Sequence, residues 1–282
     1  MSAPRPAEAG RPPRGSRKVA KPHFLESAEG LPLLTREAPG RATITLNRPR
    51  HLNRLHREDL LALQAQLAEL AADSTLRVVV LTGRGRLFCA GFNLEELGQA
   101  DAAGHDPQLF EHTVDALEAL PVPTIARLNG SVIGGATDLA LACDFRVGVE
   151  GMELRMPAAR LGLHYYPSGL QRYVSRLGLA TAKRLFLLAQ TVAAQELLQL
   201  GYLDLLAEAN TLDDTVESMA QALLEGAPLA LGGMKLSLNE IARGELDLGR
   251  LRQRELRCAQ SADLREGLQA FAQRRAPAFV GR

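Results

Sequence analysis

The 282-residue sequence has no tryptophan, three cysteines and 4% aromatic residues. Cys89, Cys143 and Cys258 stand far apart, without a CxxC pair or a histidine at ligand spacing. This argues against a disulfide framework and a structural zinc site, and a reducing, cytoplasmic setting is expected. No apolar run reaches about 18 residues, so no membrane-spanning helix is expected, and no apolar leader stands at the N-terminus. An excess of one charge sign is missing too: 33 Lys+Arg face 32 Asp+Glu, a net +1, which leaves no electrostatic footprint for nucleic acid or an anionic membrane. The balance hides an uneven spread. Residues 1–22 carry six basic side chains against Glu8 alone, +5 in all, so the remainder stands at −4. Five prolines in that stretch oppose an amphipathic transit helix, and a disordered basic tail is the reading. GxxxxGK[ST] and GxSxG are both lacking, which excludes a phosphate-cradling P-loop and lowers the case for a serine hydrolase.

What is present is an alternation of strand and helix patterns. Leu31–Thr35 and Ala42–Leu46 flank Ala38-Pro39-Gly40 and read as a hairpin. Leucines 60, 61, 63, 67 and 70 recur at helical spacing over Arg57–Ala72, and Arg77–Leu81 reads as a fully buried strand. A helix over Gln108–Leu120 stops at Pro121, strands follow at Thr124–Leu128 and Phe145–Val149, and an apolar helix between them begins near Gly134. Such βα units imply an α/β core. Beyond residue 168 the pattern reads as almost wholly helical: 168–176, 181–189, 194–200, 212–224, 229–242, 246–258 and 262–273. The expected organisation is a tail over 1–22, a catalytic core over 23–225 and a helical region over 226–282.

Two glycine-containing turns follow buried strands, Phe88-Cys89-Ala90-Gly91-Phe92-Asn93 and Asn129-Gly130-Ser131-Val132-Ile133-Gly134-Gly135. Small residues admit a ligand close to the backbone, and a helix N-terminus leaves N–H groups free for an anion or a developing oxyanion. Two facing turns of this kind would form an oxyanion hole from main chain alone; tight strand–helix packing is the plainer account of either one.

From about Thr43 to Gly281 the chain resembles the crotonase (enoyl-CoA hydratase/isomerase) superfamily. The carriers are Thr45-Leu46-Asn47-Arg48-Pro49 with Leu52-Asn53, Val79-Val80-Leu81-Thr82-Gly83, the two turns, Ala142-Cys143-Asp144-Phe145, Ser261-Ala262-Asp263-Leu264-Arg265-Glu266-Gly267, and Arg274–Phe279. The resemblance implies a crotonase-type spiral of ββα units with a helical C-terminal oligomerisation region, a homotrimer or dimer of trimers. It implies a coenzyme A thioester as substrate, with no cofactor or metal. The family's two oxyanion N–H groups map to Phe92 and Gly135. Its CoA and acyl contacts fall around Arg50, Leu52, Arg54, Ala90 and Phe92, and the helix bearing Glu111 and His112 borders its acyl pocket.

The pattern departs at the acid–base pair. Typical hydratases place two glutamates, and the matching positions here are Asp138, shorter by about 1.5 Å, and Ala158, which cannot transfer a proton. The family's glycine-rich stretch reads Leu163-His164-Tyr165-Tyr166-Pro167-Ser168-Gly169. Tyr166 falls about where coenzyme-A dehalogenases of the family place an aspartate. The resulting expectation is an enoyl-CoA hydratase/isomerase-like enzyme with Asp138 as proton carrier, assisted by Tyr166 or His164. Thioester hydrolysis, decarboxylation and a non-catalytic acyl-CoA-binding role stay open.

Overall fold

The computed structural model describes residues 28–37, 39–97 and 106–282; the expected basic tail and Ala38 of the expected hairpin turn lie outside them. The hairpin pairs β1 (Leu33–Arg36) with β2 (Arg41–Leu46) antiparallel, Leu33 opposite Thr45. Helix α1 (Arg57–Ala72) opens on a capping box: the His56 N–H donates to Asp59 Oδ2 at 2.8 Å. Asp59 also binds Arg48 Nε at 2.9 Å, so this helix start is pinned to the loop before it. Strand β3 (Val78–Gly83) is buried along its whole length, as a strand covered on both faces requires. Then come α2 (Leu94–Leu97), α3 (Leu109–Glu118), β4 (Thr124–Leu128), β5 (Val132–Ile133), α4 (Gly135–Leu141), β6 (Phe145–Val149) and β7 (Glu153–Arg155).

The C-terminal half holds α5 (Pro167–Lys183), β8 (Val192–Ala193), α6 (Ala194–Gln199), β9 (Leu205–Ala207), α7 (Leu212–Leu224), α8 (Pro228–Ala242), α9 (Leu248–Ala259) and α10 (Ala262–Gln273). Gly178, at φ 79° and ψ 159°, breaks α5 between the two helices expected there. The expectation of an almost wholly helical chain beyond residue 168 is corrected by β8 and β9. These strands of two and three residues are too short to show alternation and exist through their pairing with β7 and β6.

The main sheet runs β1-β2-β3-β4-β6-β9, parallel except for the first pair; β5, β7 and β8 form a second, small sheet. Alternation along β3 divides the interior. Val79 and Leu81 join the larger core with α1, while Val78 and Val80 pack with Val216 and Ala220 of α7 on the opposite face. Helix α8 is tied to the body by Lys235 Nζ, which lies 2.7 Å from Asp144 Oδ2 and 2.8 Å from the Val122 carbonyl. Asp263 at the start of α10 accepts the N–H groups of Val280 and Gly281 at 2.7 and 2.9 Å, which gives the sequence marker around it a structural role.

Candidate active site

Parallel strands β2, β3 and β4 deliver their carboxyl ends to one side of the sheet, where crevices form in α/β folds. Two asparagines staple the loops there. Asn53 Nδ2 donates to the carbonyls of Arg84, Leu87 and Phe88 at 2.8–3.1 Å. Asn129 Oδ1 accepts from Gly83 N at 3.1 Å while its Nδ2 donates to Gly85 O at 2.8 Å. Above these loops lies a cavity of about 330 Å³, walled by both glycine turns, α3 and the 156–166 stretch.

The two turns touch. Gly91 has φ +88°, and a Cβ on it would lie 2.6 Å from the Ile133 carbonyl and 3.1 Å from Gly135 N, so only glycine allows this approach. Gly91 O accepts from Leu55 N, and Asn93 N donates to Leu55 O, both at 2.8 Å. In extended backbone the intervening N–H, that of Phe92, points to the opposite side. Gly135 is the first residue of α4, where no carbonyl of the helix can accept its N–H. Phe110 covers this first turn: a Cβ on Gly135 would fall 2.6 Å from its Cζ. The ring centres of Phe92 and Phe110 are 6.1 Å apart, those of Phe110 and Tyr166 5.9 Å, and Tyr165 stacks on Tyr166 at 4.3 Å. An apolar wall thus surrounds the two turns.

Asp138 is fully buried and stands outside the residues that line the cavity. Tyr166 lines it instead, and its hydroxyl donates to Asp138 Oδ2 at 2.5 Å. Arg172 Nη1 donates to the same oxygen at 2.6 Å, and Asp138 Oδ1 has no hydrogen-bond partner among the described residues. Arg172 also reaches Glu118 Oε1 at 3.0 Å and Asp115 Oδ1 at 2.7 Å. Glu118 in turn accepts from Arg176 at 2.9 Å and Arg243 at 3.2 Å. Burial pushes the Asp138 carboxyl above its ordinary value, and Arg172 and Tyr166 offset this only in part. Glu118 shows the reverse balance: burial raises it, but the surrounding guanidiniums hold it below the usual carboxylate range. Burial, followed by the charge of Asp138, lifts Tyr165 and Tyr166 well above the ordinary phenol value, so both are neutral donors. This buried arginine was not legible in the sequence, because its partners stand 34, 54 and 57 residues away and periodicity does not separate a paired buried charge from a solvated one.

The other expected site residues divide. Phe92, Gly135, Ala90, Glu111, His164 and Tyr166 all line the cavity. Arg50, Leu52 and Arg54 do not; they occupy the loop tied to the first turn by the Ala90 N–H on the Leu52 carbonyl at 2.9 Å. Arg50 is exposed, and its N–H is held by Glu29 at 2.7 Å. His164 Nδ1 lies 2.8 Å from the Tyr165 carbonyl, which can only accept, so this nitrogen carries a proton. Glu111 Oε1 accepts from Ser168 Oγ at 3.0 Å and Ser168 N at 3.3 Å. His112 pairs with Asp106 at 3.4 Å on the exposed side of α3. Asp144 accepts from Thr124 N and Oγ1 at 2.7 and 2.9 Å and binds Lys235, a structural staple. Burial pushes the Cys89 and Cys143 thiols up to about 12, so both are inert. Among the described residues no group of three or more His, Cys, Asp or Glu is arranged to hold a metal ion, and no helix is long and apolar enough to cross a membrane.

Comparison with known proteins places this arrangement. The family model described as enoyl-CoA hydratase/isomerase matches residues 37–282. The 2,3-dehydroadipyl-CoA hydratase of Escherichia coli K12 is 33% identical over 85% of this chain and 94% of its own. An enoyl-CoA isomerase/hydratase of Mycosarcoma maydis is 33% identical over 87% of this chain and 94% of its own. The crystal structure of an enoyl-CoA hydratase from Bacillus anthracis superposes with a TM-score of 0.79 at 30% identity, covering 90% of this chain and all of that one. The chain therefore belongs to the enoyl-CoA hydratase/isomerase family and has the crotonase fold. It is an enzyme of the acyl-CoA hydratase/isomerase type.

Proposed function

We propose that the cavity binds the acyl end of a coenzyme A thioester and holds its enolate oxygen between the N–H groups of Phe92 and Gly135. The observation that carries this reading is the contact of the two turns through Gly91, which brings two main-chain donors to one cavity wall. Preorganised donors aimed at developing charge supply the largest part of the rate in such sites, about 10²–10³ for one donor. Asp138 is the proton carrier and acts through Tyr166. In the resting site Tyr166 donates to Asp138 Oδ2; once Asp138 carries a proton, that proton replaces the one Tyr166 gives into the cavity. His164 lies on the same wall. Ala158 lines the cavity without acid–base chemistry, so the reaction proceeds without the second glutamate of typical hydratases.

Arg50, Leu52 and Arg54 sit beside the first turn and are assigned to the CoA moiety. Exposed Leu238, Ile241, Leu248, Leu256, Leu268 and Phe271 support an assembly role for residues 226–282, with trimers or paired trimers as the working state. The test is incubation with crotonyl-CoA and a panel of other acyl-CoAs, following hydration, double-bond shift and free thiol. Hydration or a shift is expected. Free thiol would replace the reading by hydrolysis, and binding without any reaction would replace it by a non-catalytic role.

A further inference from the structure

We infer that Glu111 is a second proton-transferring group of the site, the base that removes and returns a proton on the bound acyl chain. The inference rests on the thioester-enolate reading above. With Ala158 at the second acid–base position and Asp138 sealed behind Tyr166, the carboxylates lining the cavity among the described residues are Asp106 and Glu111. Asp106 is directed to His112, with 42% of its side chain exposed. Glu111 is built in. Its Oε1 takes both the hydroxyl and the backbone N–H of Ser168 near the start of α5, which fixes the carboxylate, and Oε2 has no hydrogen-bond partner among the described residues.

Glu111 lines the same cavity as the oxyanion donors Phe92 and Gly135 and as Tyr166, and Ser168, its anchor, lies two residues beyond Tyr166. A base in that place needs no further partner. The α C–H bond breaks, its electron pair enters the enolate whose oxygen faces Phe92 and Gly135, and the proton passes to Glu111. Return of that proton to the α carbon, or to the γ carbon of a β,γ-unsaturated chain, forms the new C–H bond and restores the carboxylate. Atoms and charge balance without an oxidant or a metal. Glu111 on α3 then takes the place of the missing glutamate, and the Tyr166–Asp138 pair remains for a step that needs a separate acid.

The experiment is exchange of the α protons of butyryl-CoA in D₂O, followed by NMR, with thioester binding measured by calorimetry. Wild-type protein should exchange. Glu111→Gln, an isosteric change, should lose about 10²-fold or more with affinity for the thioester retained, within the usual range for a positioned acid–base group. Glu111→Asp should retain part of the rate. Exchange by Glu111→Gln within threefold of wild type would overturn the assignment and leave the enolate reading standing. No exchange by wild-type protein that binds the thioester would overturn both.

Discussion

Replacing Gly91 by alanine isolates the contact on which the enolate reading depends. The new Cβ would lie 2.6 Å from the Ile133 carbonyl, where ordinary contact begins at 3.4 Å, so the two turns must separate by roughly 0.8 Å. A displacement of about 1 Å at a reacting centre costs on the order of 10²-fold, and full loss of one oxyanion donor costs about 10²–10³-fold. Alanine at φ +88° adds backbone strain of about 1–2 kcal/mol. Gly151 separates the two effects, because it has φ +80° with nothing within 4 Å of a new Cβ. Gly151→Ala should therefore lower stability by about 1–2 kcal/mol in urea titrations, and Gly91→Ala by that amount plus about 1–3 kcal/mol for the forced separation of the turns. Only Gly91→Ala should lower kcat, by about 10²-fold, with KM little changed because the donors act in the transition state. A folded Gly91→Ala protein whose kcat stays within threefold of Gly151→Ala would refute the claim that these two N–H groups hold the enolate.

Tyr166→Phe removes the hydroxyl that joins Asp138 to the cavity wall and should lower kcat by about 10–10²-fold without loss of acyl-CoA affinity. Asp138→Asn should abolish turnover with CoA binding intact, and unchanged turnover in both variants would remove the pair from the mechanism. Arg172→Leu strands buried Asp138 and should cost about 3–5 kcal/mol in urea unfolding; the double variant with Asp138→Leu should recover much of it, and a loss below about 1 kcal/mol would contradict the ion-pair account. Glu118 is held below its ordinary 4.5, so the stability it contributes is complete above that pH and is lost as pH falls through its folded value. Glu118→Gln should flatten the decline of Tm below about pH 4.5, whereas an unaltered acid limb would show that Glu118 does not set it.

The fold was legible wherever an element carries its own pattern. The leucine spacing of α1, the apolar run of β3 and the proline stop after α3 all correspond to the structure within two residues, and β4, β6, α7 and α10 coincide with the expected ranges. Strands β8 and β9 were not, because pairing partners remote in sequence create them. The site divides in the same way. The backbone donors were readable from strand-to-helix handovers, since a local geometry and a small residue suffice to mark them. The environment of Asp138 was not, because its burial and its guanidinium partner come from packing of α5 on α4, and Arg172 shares a helix face with Gly169 and Tyr173 as an apolar residue would. Ser168 gave no signal either, since its role exists only through Glu111 on another helix.

Tyrosines 165, 166, 173 and 202 are the complete set in a chain that has no tryptophan. All four surround α4: Tyr166 binds Asp138, Tyr173 and Tyr202 bind the hydroxyl and carbonyl of Thr137, and Tyr165 stacks on Tyr166. Intrinsic fluorescence of this protein is therefore an optical report from α4 and its surroundings, with Tyr165 and Tyr166 on the cavity wall. Occupancy of the cavity, a changed partner for the Tyr166 hydroxyl or loosening of α4 can each be followed without a label, and the absence of tryptophan leaves no brighter emitter to hide the signal.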